Sequence, residues 1–271
     1  MGALGYEPTD DIWGRVDNEL DLDSLAADAF RLDADLLEDL PLRAGFRHVL
    51  IKFRSRTDSP ALPAIELAYL KMASATGLSV PGARLQRLAS GEDALIVDRF
   101  DRVGDARRHA QTMAALLELD PAKDLADYGH LLELTRRLTG SFSEVLRALR
   151  LAAFNVYAGN RDDHTRNVSF SMSPSGEWSL APAYDLTWSA RGAGYHAMSV
   201  DGEARSPGTR ELQRVARSAG LDDSQADTLF AEVRAAVVRW PEFAAEAGVP
   251  GKWVQEIASS LRASPSLVFD E

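Results

Sequence analysis

Two rhythms of apolar residues divide the chain. In the first hundred positions the apolar runs are short. His48-Val49-Leu50-Ile51-Lys52-Phe53 is apolar and β-branched apart from its lysine, which predicts a buried strand carrying one charge. The runs 83–88 and 94–97 flank Ser90-Gly91-Glu92-Asp93 and predict a hairpin with a tight turn. Between them, IELAYLKMASATGL follows Pro60 and Pro63 and predicts a helix over 61–76 that stops at Gly77. Upstream, Met1 to Asp10 reads as a strand-like piece ending at Pro8, and Leu20, Leu22, Leu25, Ala26, Ala29 and Phe30 recur at helical spacing.

From Arg107 the rhythm becomes helical: 108–119, 124–139 and 141–158 are Ala/Leu-rich amphipathic stretches, broken at Asp120-Pro121 and Gly140-Ser141. A short β-like patch follows at 167–172 and 177–180, and a Gly-containing loop around 191–194 leads to helices at 209–219, 223–238 and 250–262. No internal repeat or low-complexity tract interrupts this order. The pattern predicts an α/β (α+β) chain of two lobes: residues 1–100 with a small sheet and one helix, then a mostly helical lobe over 101–271. A cleft between the lobes is the default ligand site.

Composition narrows the chemistry. The 271 residues carry 41 acidic and 30 basic side chains, a net charge of -11, and no cysteine. Disulfides, thiolate metal sites and thiol nucleophiles are thereby excluded. The acidic balance argues against a general nucleic-acid surface, since phosphate affinity comes from clustered Lys and Arg. Arg107-Arg108 and Arg136-Arg137 are too short to change that. No run of about 18 apolar residues could span a bilayer, and MGALGYEPTDD has neither the basic nor the apolar region of a secretory signal. The expectation is a cytoplasmic protein with no membrane partner.

The densest polar cluster is Gly159-Asn160-Arg161-Asp162-Asp163-His164-Thr165-Arg166-Asn167, between a buried helix and a short apolar strand. An Asp followed five residues later by an Asn suits phosphoryl transfer, the Asp accepting a hydroxyl proton and the Asn ligating a divalent cation. Alone, the dipeptide reads better as a solvated Asx-rich turn. Eighteen positions after Asn167, Asp185 stands among apolar residues in WSLAPAYDL. A carboxylate there needs a cation or a dense hydrogen-bond network, unless it caps a helix. Lys52 poses the same question with the opposite sign: it snorkels from a strand edge or faces anions, with Glu66 on the following helix as its partner. The isolated histidines 109, 130 and 196 read as surface or satisfied core positions, and Trp188, Trp240 and Trp253 as packing anchors.

Taken in order, these features resemble the HipA-type serine/threonine kinases, toxins of bacterial HipBA- or HipBST-like toxin–antitoxin modules. The resemblance rests on GALGYEP at 2–8, HVLIKF at 48–53, IELAYLKMASATGLSVPGARL at 65–85, LIVDRFDR at 95–102, FNVYAGNRDDHTRNVSF at 154–170 and WSLAPAYDL at 178–186. It implies a two-lobed protein-kinase-like fold and an ATP- and Mg2+-dependent kinase that phosphorylates itself and a protein such as an aminoacyl-tRNA synthetase. It also implies a HipB-like antitoxin partner, with DNA met only through that partner. By position, Asp162 would accept the substrate proton, and Asn167 and Asp185 would bind magnesium. Lys52, oriented by Glu66, would contact phosphates. Asp98, Arg99 and Phe100 would form the hinge against adenine, while His164, Thr165 and Arg166 line the catalytic loop and Tyr184 stands beside the metal ligand.

Two departures follow. The family's N-terminal β-rich subdomain is missing before GALGYEP, as it is from smaller HipT-like kinases, and a truncated sequence would explain that equally well. The Gly-rich phosphate loop expected before the lysine strand is replaced by Leu42-Arg43-Ala44-Gly45 running straight into Phe46. A disordered loop left out of the sequence, or a true deletion leaving a weak or dead kinase, would explain it. The alternatives to a kinase are a catalytically silent antitoxin-binding module and a small-molecule phosphotransferase of the aminoglycoside type.

Overall fold

The protein is described by a computed structural model over residues 47–54, 58–104, 106–120, 125–189 and 194–264, with the backbone path of 11–16. The expectations for Met1 to Asp10, the helix around 20–30, the GALGYEP motif and the Gly45–Phe46 junction lie outside these residues, as does most of the 191–194 loop.

Strands β1 (Asp11–Val16), β2 (Arg47–Lys52), β3 (Ala83–Arg87) and β4 (Asp93–Asp98) form an antiparallel sheet in the order β1-β2-β4-β3. Alternation along β2 sorts its side chains by face. Val49 and Ile51 pack with Ala94 and Ile96 on one side, while Leu50 joins Leu95 and Val97 in the main core on the other. Lys52, two residues after Leu50, falls on that second face. Helix α1 (Leu62–Ala75) covers it, with Pro63 in the first turn, where its missing amide hydrogen costs nothing.

After β4 the chain turns at Arg99 to Asp101 into the second lobe. Its elements are β5 (Arg102–Val103), β6 (Ala106–Arg107), β7 (His109–Thr112), α2 (Met113–Leu116), β8 (Ala126–Asp127), α3 (Tyr128–Thr139), α4 (Phe142–Tyr157), β9 (Ser169–Met172), β10 (Trp178–Leu180) and β11 (Met198–Ser199). Helices α5 (Thr209–Ser218), α6 (Asp223–Val237), α7 (Trp240–Glu246) and α8 (Gly251–Ala263) complete it.

Three expectations change. The helix expected over 108–119 is strand β7 followed by the single turn α2: His109–Thr112 pairs with β9, and the Thr112 hydroxyl caps the helix by accepting the Ala115 amide at 3.1 Å. Sheet pairing here overrides an apolar period that fits a helix. The helix expected from 124 starts at Tyr128, because Asp127 is its N-cap, accepting the Gly129 amide at 2.7 Å, while Ala126 and Asp127 pair with β11. Helix α7, which the pattern does not announce, carries Pro241 in its first turn.

One continuous core joins the lobes. Tyr69 of α1 packs against Trp240 of α7 with ring centroids 5.3 Å apart, and its hydroxyl donates to the Ala158 carbonyl at 2.7 Å. Helix α1 is therefore fixed at once to the sheet, to α7 and to the end of α4. No helix among the described residues is long and apolar enough to cross a membrane.

Candidate active site

The end of α4 sets the geometry of the polar loop. The Asn160 amide bonds the Asn155 carbonyl at 3.0 Å and the Gly159 amide that of Val156 at 3.4 Å, with Gly159 at φ +63°. This Schellman closure needs a left-handed residue, which is the reason for glycine. The chain leaves the helix sharply and enters 160–167 with its backbone already fixed.

Within that loop the two adjacent aspartates part company. Asp163 is 1% exposed. One carboxylate oxygen accepts the Tyr128 hydroxyl at 2.8 Å and meets His196 Nδ1 at 2.9 Å, and the other accepts the Ala197 amide at 2.8 Å. Asn155 donates to the Tyr128 oxygen at 2.9 Å and Asn160 to Asn155 at 2.9 Å, so one hydrogen-bond chain ties α3, α4, the loop and the approach to β11. Asp162 faces outward with a side chain 58% exposed, and His164 Nε2 stands 3.9 Å from it. Asn167 donates its amide hydrogen to the Asp162 carbonyl at 2.8 Å, which leaves its side-chain oxygen available.

Lys52 Nζ reaches Glu66 Oε1 at 2.7 Å and Asp185 Oδ1 at 2.6 Å. The strand lysine and the helix glutamate thus meet as their spacing suggested, and a second carboxylate from far along the chain joins them. Asp185 adopts φ +57°, a left-handed conformation that an aspartate tolerates better than most residues. Burial alone would raise its carboxyl pKa, but Lys52, by charge and by hydrogen bond, and His164 outweigh it and hold the carboxyl below its ordinary value.

These three groups close one end of a solvent-open cleft enclosing about 660 Å3 of non-protein space. Leu50, Leu70, Pro81, Val97 and Ala110 supply apolar wall, and Asp98, Arg99, Phe100, Asp101, Ser169 and Tyr184 complete the lining. Phe100 and Tyr184 stack with centroids 5.6 Å apart. The Tyr184 hydroxyl donates to the Arg166 carbonyl at 2.7 Å and pairs with the Ser169 hydroxyl at 2.6 Å. At the turn between the lobes, the amides of Asp98 and Arg99 donate to Gly82 and His48 carbonyls, so those two donors serve the fold. Burial would raise the Asp101 carboxyl, yet the salt bridges from Arg99 and Arg102, both 2.6 Å, draw it below its usual value.

Of the residues expected at the site, Lys52, Glu66, Asp98, Arg99, Phe100, Tyr184 and Asp185 line the cleft. Asp162, His164, Arg166 and Asn167 stand on the loop outside that lining. Thr165 is buried, its carbonyl accepting the Ala114 amide at 3.1 Å. Missed in the sequence were Asp101 and Ser169 in the cleft wall and the roles of Tyr128 and His196 behind the loop. His196 is indeed a satisfied core histidine, but nothing local announces its partner. The only sequence signal separating the two aspartates is the five-residue interval from Asp162 to Asn167.

The residues suit a nucleotide with magnesium. An apolar slot ends in one ammonium and two carboxylates, so the polar end has carboxylate to spare. Among the described residues no three His, Asp or Glu side chains form a cation cage. That is compatible with magnesium, which usually takes one or two carboxylates and completes its shell with phosphate oxygens and water.

Sheet-containing lobe, helical lobe and intervening cleft define a kinase-like α/β protein. The fold matches HipA of Shewanella oneidensis MR-1, solved with HipB and operator DNA, at TM-score 0.67 and 21% identity over 83% of this chain and 62% of that one. It also matches the Helicobacter pylori proinflammatory kinase CtkA at TM-score 0.54 and 9% identity over 82% of this chain and 86% of that one. A family model of the HipA-like C-terminal domain covers residues 25–240, and the chain belongs to that family. A relative from Sinorhizobium fredii, "Putative kinase Y4mE", is 33% identical over 132 residues, 45% of this chain. The match spans 31% of that relative's length.

Proposed function

We propose that the protein is an ATP- and Mg2+-dependent serine/threonine protein kinase, the toxin of a bacterial toxin–antitoxin module acting in the cytoplasm. The reading rests on one observation above the rest: Lys52 bridges Glu66 and Asp185 at the polar end of an apolar cleft. Lys52 would hold the nucleotide phosphates, with Glu66 fixing its ammonium, and Asp185 and Asn167 would hold magnesium. The bound metal supplies charge neutralisation at the phosphoryl oxygens. Asp162, solvent-facing and held by a loop whose backbone is anchored through Asp163, would accept the proton of the attacking hydroxyl.

The Shewanella HipA complex and family membership support a HipB-like antitoxin partner, with DNA reached through it. The protein substrate would be a Ser or Thr hydroxyl on a partner such as an aminoacyl-tRNA synthetase, and the chain would also phosphorylate itself. The test is transfer of labelled γ-phosphate to the protein and to a panel of synthetases. The reading expects transfer by wild type and none by Asp162→Ala, and identical signals from both would overturn it.

A further inference from the structure

A second cavity, enclosing about 900 Å3, opens behind the catalytic-loop candidate, between Gly159-Asn160-Arg161, the Trp188 segment, the Arg205–Pro207 turn and the end of α8. Its described lining contains Arg161, Arg205 and His196 with Ser206, Ser260 and Trp188, and no aspartate or glutamate. In a chain of net charge -11 such a lining is unusual. Neither arginine forms an ion pair among the described residues, and Arg161 Nε is enclosed without an acceptor. Glu203, the acidic neighbour of Arg205, feels its charge without forming an ion pair with it, and accepts the amides of Arg205 and Ser206 at 2.6 and 3.1 Å. For half-buried Arg161 an enclosed, unsatisfied Nε is costly unless an anion meets it.

We propose that this cavity is a binding site for a phosphate-type oxyanion. Two guanidiniums, an imidazole and serine hydroxyls match the several oxygens of a tetrahedral dianion, and arginine's fork suits phosphate in particular. The site is distinct from the cleft of Lys52 and Asp185. Arg161 precedes Asp162, its carbonyl accepts the Ala197 amide at 3.2 Å, and His196 bonds Asp163, so an occupant would bear on the start of the loop. The phosphoryl group could come from a free phosphate compound or from a phosphorylated side chain.

The test is a titration with inorganic phosphate at ionic strength matched with chloride, read by thermal shift and by 31P line broadening. Wild type and Lys52→Met should show the same saturable response. Arg161→Gln and Arg205→Ala should each weaken it about tenfold or more, the scale of losing charge-assisted hydrogen bonds. Arg205 is exposed, so that variant keeps the test valid if Arg161→Gln fails to fold. Tighter binding of N-acetyl-phosphoserine amide than of phosphate would support the site with a phosphorylated side chain as its occupant. Equal binding would support it with a free phosphate compound. Loss of the response in Lys52→Met, equal responses in both arginine variants and wild type, or no saturable response at all would overturn the site. None of these readouts depends on catalysis.

Discussion

Asp163 and Asp185 are two carboxylates presented by neighbouring loops, and their surroundings assign them opposite duties. Asp163 is enclosed by a tyrosine hydroxyl, an imidazole and a backbone amide, all belonging to the fold, and it has no room for a ligand. Asp185 lines the cleft, where it pairs with the Lys52 ammonium and feels the charge of His164. A carboxylate whose acceptors are filled by the scaffold shapes a loop. One met by side-chain cations at a cleft wall can exchange them for a ligand. On the proposed reading, Asp162, beside the first in sequence, would share the duty of the second.

Substitutions sharpen this contrast. Asp162→Ala should lower phosphoryl transfer by about 10²–10⁴-fold, the usual contribution of a general base, with the urea midpoint unchanged because the side chain is 58% exposed. Asp163→Ala should do the reverse in kind. It strands Tyr128, His196 and the Ala197 amide, and should cost about 3 kcal/mol in equilibrium unfolding. An Asp163→Ala protein of wild-type stability would break the comparison. Tyr128→Phe removes one link of the same chain and should cost about 1–2 kcal/mol. Asp185→Asn should change unfolding by less than about 1 kcal/mol, since Lys52 keeps Glu66 and asparagine accepts the left-handed backbone.

The smallest effect is the pH dependence. Asp101 and Asp185 both titrate below their ordinary value in the native state. The unfolded chain therefore takes up their protons first, so their stabilisation is intact above about pH 4 and fades as pH falls through the lower native values. Asp101→Asn should flatten that acid limb in a series of urea titrations between neutral pH and about pH 2.

The lysine strand, helix α1 and the hairpin were legible as apolar runs bounded by turn residues, and the long helices because each buries a face whose period matches its structure. The segment after Arg107 misled because its apolar spacing fits a helix while pairing with Ser169–Met172 fits better, a contact sixty residues away. The Lys52–Glu66 pair could be read from a charge in an apolar strand. The fixing of Asp163 could not: Tyr128 and His196 each lie more than thirty residues from it, and no local pattern joins them. The cleft's stacked Phe100 and Tyr184 were named for other reasons, and their mutual contact is a tertiary fact.

The most direct measurement is nucleotide-dependent stabilisation. ATP with Mg2+ at a hundredfold excess over its dissociation constant should stabilise wild type by about 2.7 kcal/mol. The same shift should remain in Asp162→Ala and disappear in Asp185→Ala. A wild-type protein indifferent to ATP and Mg2+, or an Asp185→Ala protein stabilised as much as wild type, would contradict the assignment of the cleft.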